Sequence, residues 1–124
     1  MLQGVAAVRV FTADLHSARQ FYGGVLGLSE RQHDEDFSVY GLGDQDLVLE
    51  FATPDDPEAA ALLGRFCGVS IAVDDIDAAY ERLRERGVMF EAAPVTEGWG
   101  GKLAHFRDRD GNVLTLVQYP ARAA

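Results

Sequence analysis

A chain of 124 residues with 48% hydrophobic and 25% charged residues can form one globular domain, or two small modules fused around a shared core. The net charge of −9, with only 11 scattered Lys and Arg, argues against a nucleic-acid partner, because phosphate binding needs a concentrated basic patch. No apolar run approaches the roughly 20 residues that cross a bilayer, and neither a signal pattern nor a cysteine pair is present, so we expect a cytoplasmic protein without a membrane partner.

The first half of the chain predicts a strand, a helix and three further strands. The helix has Asp14 as its N-cap and Gly27 as its stop, and the turn Gly43-Asp44 joins the last two strands. The strands are predicted from β-rich alternation, and they cover residues 5–12, 29–33, 37–42 and 47–51. The apolar face of the helix recurs at helical spacing and consists of Leu15, Ala18, Phe21, Tyr22, Val25 and Leu26.

The second half repeats this order after a linker. Residues 53–64 contain two prolines, acidic residues and an alanine run, which predict a connection carrying one short helix. The second main helix has Asp75 as its N-cap and Gly87 as its stop, and its apolar face consists of Ile76, Ala79, Tyr80 and Leu83. The predicted strands cover residues 69–73, 88–91, 102–107 and 113–119.

The two halves indicate an internal repeat. Sliding the chain on itself by 61 residues places Val8 on Val69 and Asp14 on Asp75, and the order of strand, Asp cap, helix and Gly stop occurs twice. We therefore predict a single domain, 1–124, made of a module at 1–52, a linker at 53–66 and a module at 67–124. The alternative is an unrelated α+β sandwich with the same pattern.

Alternation along the strands separates two faces of the predicted sheet. One face is apolar and is expected to pack on the helices; it consists of Val8, Val10, Leu47, Leu49, Phe51, Val69, Ile71, Val73, Leu114 and Leu116. The other is small and mixed in polarity; it consists of Ala7, Arg9, Phe11, Asp46, Val48, Glu50, Gly68, Ser70, Ala72, Val113, Thr115 and Val117. Because a tightly packed core would use larger apolar groups, the second face indicates a cavity.

These segments together resemble the vicinal oxygen chelate family, which includes glyoxalase I, extradiol dioxygenases and bleomycin-type resistance proteins. The resemblance is carried by Asp14-Leu15 through Phe21-Tyr22 to Gly27-Leu28, by the strands at 47–51 and 69–75, and by the turn at 108–112. It implies an α+β fold of two βαβββ modules, which form a cup-shaped or barrel-like mixed sheet with helices on the outer face. It also implies frequent dimerisation, so a homodimer is expected.

The resemblance further assigns four metal-ligand positions, which hold His or Gln, Glu, His and Glu in metal-dependent members. In this sequence they fall on Ala7, Glu50, Gly68 and Thr115. A transition metal needs at least three good protein ligands, and one of the four survives. We therefore expect no metal and no cofactor. The tyrosine that precedes the dioxygenase turn corresponds to His105, which weakens a dioxygenase interpretation.

The sequence thus predicts a metal-free protein that sequesters a planar or cationic organic ligand, as resistance members of the family do. Several individual residues keep two interpretations each. Glu50 contacts the ligand or pairs with Arg9; His105 is an acid–base group or a hydrogen-bonded wall; Trp99, among glycines, is an aromatic lid or a plug. The candidate ligand-binding residues are Arg9, Phe11, Val48, Glu50, Ser70, Trp99, His105 and Thr115, and none is assigned a catalytic role.

Two other functions stay open at this point. One is a lyase, isomerase or dioxygenase relative that uses Glu50 and His105 with a noncanonical metal or with acid–base chemistry alone. The other is an assembly module without a specific ligand.

Overall fold

The structure is a computed structural model, and it describes residues 1–121. It confirms the predicted α+β class, with short helices and strands alternating along the chain. The strands are β1 (Ala7–Thr12), β2 (Ser29–His33), β3 (Phe37–Leu42), β4 (Gln45–Phe51), β5 (Phe66–Ala72), β6 (Met89–Phe90), β7 (Val95–Thr96), β8 (Lys102–Arg107) and β9 (Val113–Gln118). The helices are α1 (Leu15–Arg19), which continues as a π-helical segment (Gln20–Val25), α2 (Pro57–Ala60) and α3 (Ile76–Glu85). None of the described helices is long and apolar enough to cross a membrane.

The chain folds into two compact units. The first unit comprises Met1–Arg65 with Arg109–Asn112, and the second comprises Phe66–Asp108 with the residues from Val113 on. The first unit has a four-stranded sheet in the order β1-β4-β3-β2, and the second has a sheet in the order β5-β9-β8-β6 with β7 also paired to β8. The pairs β1–β4 and β5–β9 are parallel and the others antiparallel, so each sheet is mixed. Within residues 1–121 the strands form these two sheets and no closed barrel.

The two main helices begin in the same way, as predicted. The carboxylate of Asp14 accepts a hydrogen bond from the Ser17 amide at 3.0 Å, and that of Asp75 accepts one from the Ala78 amide at 3.1 Å. Each bond satisfies an amide that has no partner within its helix. The same local chemistry therefore starts the helix in both units.

Burial follows the predicted alternation over most of the sheets. Leu47, Leu49 and Leu114 are fully buried on the apolar face, where α1 contacts β4 and α3 contacts β8 and β9. Phe51 was assigned to the same face, but 47% of it is exposed because it ends β4, where the packed part of the strand stops. Strand β9, between β5 and β8, departs from the alternation, since Val113, Thr115 and Val117 of the mixed face are also buried.

The first helix differs from the regular helix that the sequence predicted. It runs as α-helix only to Arg19 and then widens into the π-helical segment, in which the Leu26 amide donates to the Phe21 carbonyl. Gly23 and Gly24 lie in this segment, and glycine has little preference for the α-helix. The predicted stop at Gly27 is confirmed, with a φ of 77°.

The turn before β9 belongs to the first unit. Asp110 accepts a hydrogen bond from the Ala13 amide at 2.9 Å, and the buried Asn112 side chain donates to the Phe11 carbonyl at 2.8 Å. Asn112 also accepts a bond from the Gly64 amide at 2.9 Å. These bonds satisfy backbone groups at the end of β1 and at the end of the connection after α2.

Candidate functional site

An ion pair lies on the mixed face of the first sheet. Arg9 is on β1 and Glu50 is on the neighbouring strand β4. The guanidinium donates from Nε to Oε1 of Glu50 at 2.6 Å and from Nη2 to Oε2 at 3.0 Å. This is the bidentate geometry that suits a guanidinium and a carboxylate. The structure therefore forms the internal pair that was one of the two interpretations of Glu50.

The ion pair keeps the carboxylate of Glu50 ionised. The hydrogen bond from Arg9 is the main cause that lowers the pKa of Glu50, and burial opposes it. The same contact raises the pKa of Arg9. The side chain of Arg9 is 59% exposed and that of Glu50 is 28% exposed, so both are within reach of a solute.

Two other predicted site residues adjoin this pair. The guanidinium carbon of Arg9 lies 5.5 Å from the ring centre of Phe11, which is a cation–π distance. Val48 is the Cα partner of Arg9, and Phe11 is the partner of Glu50. The structure thus brings together the four candidates of the first unit as one half-buried patch with a cation, an anion and an aromatic ring.

The second unit carries a hydrogen-bonded pair of side chains on its sheet. His105 Nδ1 on β8 lies 2.8 Å from the Thr115 hydroxyl on β9. Ser70 on β5 is the Cα partner of Thr115 on its other side. Three candidates of the second unit therefore lie on adjacent strands. The hydrogen bond matches the interpretation of His105 as a bonded wall residue, and its acid–base role stays a prediction.

Phe66 is a residue at this site that the sequence analysis missed. Its ring meets the edge of His105 with centroids 5.9 Å apart, and 63% of the residue is exposed. The predicted strand began at residue 69, whereas β5 begins at Phe66. Extending the alternation of Ser70 and Gly68 back by one step would have placed Phe66 on the same face.

A small cavity in the second unit adjoins His105. Its volume is about 170 Å³, and its wall includes Glu91, Val95, Glu97, Leu103 and His105. Strand β7, which the sequence analysis did not predict, forms part of this wall. A cavity of this size accommodates one ring or a short branched group.

Trp99 contacts Tyr119 and Gly101. Its ring is 6.0 Å from that of Tyr119, and both residues are more than half exposed. The ring covers Gly101, where an added Cβ would overlap it. The absence of a side chain at Gly101 therefore leaves room for the indole of Trp99, which remains about half exposed to solvent.

The residues at the four expected metal positions do not fit a transition metal. Ala7 and Gly68 have no side-chain donor, Thr115 is a weak neutral one, and Glu50 is bound by Arg9. Such an ion needs at least three good protein ligands. Across residues 1–121, no three His, Cys, Asp or Glu side chains are placed to hold a metal.

Comparison with known proteins identifies the same superfamily by sequence and by structure. The chain matches the model of the Glyoxalase/Bleomycin resistance protein/Dioxygenase superfamily over residues 4–116. A solved structure of a member of that superfamily from Sphaerobacter thermophilus DSM 20745 is 28% identical, with a TM-score of 0.78 over 95% of this chain and 98% of that chain.

Two further relatives cover most of the chain. TnmS3, an antibiotic binding protein from Streptomyces sp. CB03234, is 29% identical, with a TM-score of 0.75 over 97% of this chain and 98% of its own. The uncharacterized protein YraH of Bacillus subtilis (strain 168) is 27% identical over 121 residues, which are 90% of this chain and 94% of YraH.

Proposed function

We propose that this chain, which belongs to the glyoxalase/bleomycin resistance protein/dioxygenase superfamily, is a metal-free binding protein that sequesters a planar, cationic organic molecule. It would act in the cytoplasm and as a homodimer. The residues proposed to contact the ligand are Arg9, Phe11, Val48 and Glu50 in the first unit and Ser70, Trp99, His105 and Thr115 in the second.

The side chains at the expected metal positions are the reason for proposing that the protein binds its ligand without a metal. The one carboxylate at the expected metal positions, Glu50, is bound by both ends of a guanidinium fork. A metal at Glu50 would have to displace Arg9, and the residues at the other three expected positions, Ala7, Gly68 and Thr115, include no strong ligand. Binding without a metal needs only a concave apolar surface and a few oriented polar groups.

The position of Arg9 supports the choice of a planar cation. Its guanidinium is itself planar and cationic, it is bidentate to Glu50, and it lies over Phe11. A ligand with the same properties can make the same two contacts when the exposed Arg9 moves aside. The net charge of −9 favours the approach of such a ligand.

One of the similar proteins supports a binding function. TnmS3 is an antibiotic binding protein, and it is similar to this chain over nearly its full length. Sequestration of an organic molecule by this fold is therefore a reasonable function for the present chain.

The test is a titration of proflavine, a planar cation, with the full chain, followed by the anisotropy of proflavine fluorescence. We expect saturable binding that weakens about tenfold in Glu50→Gln, because a charge-assisted contact is lost. Glu35→Gln is the matched control, because Glu35 is exposed and its substitution removes the same charge at a different place on the protein. We expect Arg9→Ala to bind proflavine more tightly, since it removes the internal competitor.

Equal affinities in the wild type and Glu50→Gln would contradict the proposed contact. Elemental analysis of protein purified without chelators gives an independent check, and it should show substoichiometric zinc, nickel, iron and manganese. One tightly bound transition ion per chain would overturn the proposal in favour of an enzyme.

A further inference from the structure

A second cavity lies in the first unit, on the other face of its sheet from Arg9 and Glu50. Its volume is about 480 Å³, and it opens between the helical segment after α1 and strands β2 and β3. Tyr40 in its wall is the Cα partner of Leu47, which faces the helix, whereas Glu50 belongs to the alternate set of β4. The cavity is therefore separate from the patch around the ion pair, and its volume suits a small organic ligand.

The helical segment shapes this cavity around Tyr40. Gly23 and Gly24 line it on the π-helical turn, and π-helical turns occur frequently at functional sites. A Cβ on Gly23 would lie 3.3 Å from Cε1 of Tyr40, so the missing side chain lets the tyrosine ring pack against the backbone. Nothing lies within 4 Å of the Cβ that Gly24 would carry. Gly23 thus leaves room for the ring of Tyr40, and Gly24 leaves the cavity beside it unfilled.

Two polar side chains meet at the carboxylate of Glu30 in the cavity wall. The Tyr40 hydroxyl donates to Glu30 Oε2 at 3.2 Å, and His33 Nδ1 lies 3.1 Å from Glu30 Oε1. Burial, followed by the charge of Glu30, raises the pKa of Tyr40 to about 12, so the hydroxyl keeps its proton at neutral pH. Each carboxylate oxygen has two lone pairs, so each can accept a further hydrogen bond from a ligand.

The cation in the same wall is directed elsewhere. Arg19 donates from Nε to the Ser38 hydroxyl at 2.6 Å and from Nη2 to the backbone carbonyls of Asp34 and Phe37. These contacts hold β3 and the loop before it. His16 also lines this wall, and its Nε2 lies 3.3 Å from Nε2 of Gln20. Of the residues that line the cavity, Glu30 carries the one carboxylate.

We infer that this cavity binds a second small organic cation, an amine or amidine on a compact apolar body, with Glu30 as its counter-ion. The charged group lies at Glu30 beside Tyr40 and His33, and the apolar body lies over Gly24 and Leu28. The site is independent of the proposed proflavine site, because the two occupy opposite faces of the first sheet.

The experiment compares benzamidine and benzoate, which share a ring and carry opposite charges. The full chain labelled with 15N is titrated with each compound, and the amide signals are followed by NMR. Benzamidine should shift the amides of Gly23, Gly24 and Glu30 in a saturable way, and benzoate should not. In Glu30→Gln the benzamidine affinity should fall about tenfold, and in Glu35→Gln it should not change.

A second variant separates loss of binding from loss of structure. Gly24→Leu adds a side chain whose Cβ has no atom within 4 Å, and leucine favours the helix more than glycine does. It should keep the wild-type melting temperature and abolish the benzamidine shifts. Glu50→Gln should leave these shifts unchanged, so a failure of the proflavine proposal would be distinguishable from a failure of this one.

Three results would overturn the inference. Benzoate could shift the same amides as strongly as benzamidine, folded Glu30→Gln could bind benzamidine with the wild-type affinity, or folded Gly24→Leu could retain the shifts. In each case Glu30 would not be the counter-ion of a ligand in this cavity.

Discussion

The two units share an order of elements but differ in the chemistry of their sheet faces. In the first unit, neighbouring strands carry the ion pair Arg9–Glu50, and in the second they carry the hydrogen-bonded pair His105–Thr115. The helices differ as well, since the first widens into a π-helical segment and α3 is regular over ten residues. The repeated backbone thus sets where side chains face each other, and the individual residues decide what they can bind.

The strand registers make this comparison specific. Arg9 has Val48 as its Cα partner, and Ser70, which lies 61 residues later, has Thr115. Val48 and Thr115 therefore lie opposite residues that are 61 positions apart in the sequence. One is an apolar neighbour of an ion pair, and the other makes the hydrogen bond itself.

The largest expected effects concern the buried residues that the units have in common. Leu47→Ala in the first unit and Leu114→Ala in the second should each lower the free energy of unfolding by about 2–5 kcal/mol, because both side chains are fully buried. Urea denaturation measures this change, with the exposed Val95→Ala as the control. If either leucine variant lost as little unfolding free energy as the control, the two leucines would not contribute equally to the cores of their units.

The next effect tests the hydrogen-bonded pair of the second unit. Thr115→Val keeps the branched shape of the side chain and removes the partner of His105. We expect a loss of about 1–2 kcal/mol in urea denaturation, since a buried polar contact is lost. Thr96→Val at an exposed site should change stability little. If both variants behave alike, the His105 bond does not stabilise the fold.

The helix caps should give similar effects in both units. Asp14→Ala and Asp75→Ala each remove the acceptor for an amide in the first turn, which costs about 1 kcal/mol. The corresponding Asn variants should largely restore stability, because the asparagine side chain also caps. Thermal unfolding measures the difference. A loss confined to one unit would show that the repeat does not extend to helix initiation.

The smallest effect is the pH dependence that the ion pair gives to the first unit. Because Arg9 lowers the pKa of Glu50, the pair stabilises the folded state above the ordinary carboxyl pKa of 4.5, and this contribution is lost as the pH falls through the lower folded value. The stability difference between wild type and Glu50→Gln should therefore shrink on acidification. Glu35→Gln should show a much flatter pH profile. A difference for Glu50→Gln that grows towards low pH would contradict the assigned direction.

Much of the fold could be predicted because it depends on local patterns. The Asp caps, the glycine stops and the alternation of Leu47 and Leu49 each act over a few residues, so they can be read without knowing the tertiary structure. The strands β2, β3 and β8 were predicted with the bounds that the structure has. The short strand β7 was missed, since a pairing of two residues leaves no periodic signal.

The arrangement of the candidate site was less predictable, because it depends on contacts between distant segments. The sequence places Arg9 and Glu50 on one face but cannot say that their side chains are paired, and that pairing depends on the strand register. The contact of His33 with Glu30, and the role of Gly23 beside Tyr40, arise only when the helix packs on the hairpin.

The turn Arg109–Asn112 has a consequence for how this protein can be divided. A gene fragment that encodes residues 1–65 would lack the side chains of Asp110 and Asn112, which bind the backbone of Ala13, Phe11 and Gly64. Such a fragment would leave three backbone groups without these bonds, one of them beside the start of the first helix. A split of the chain at its apparent repeat boundary would thus yield an incomplete first half, and supplying the missing loop as a tethered peptide would be the way to restore it.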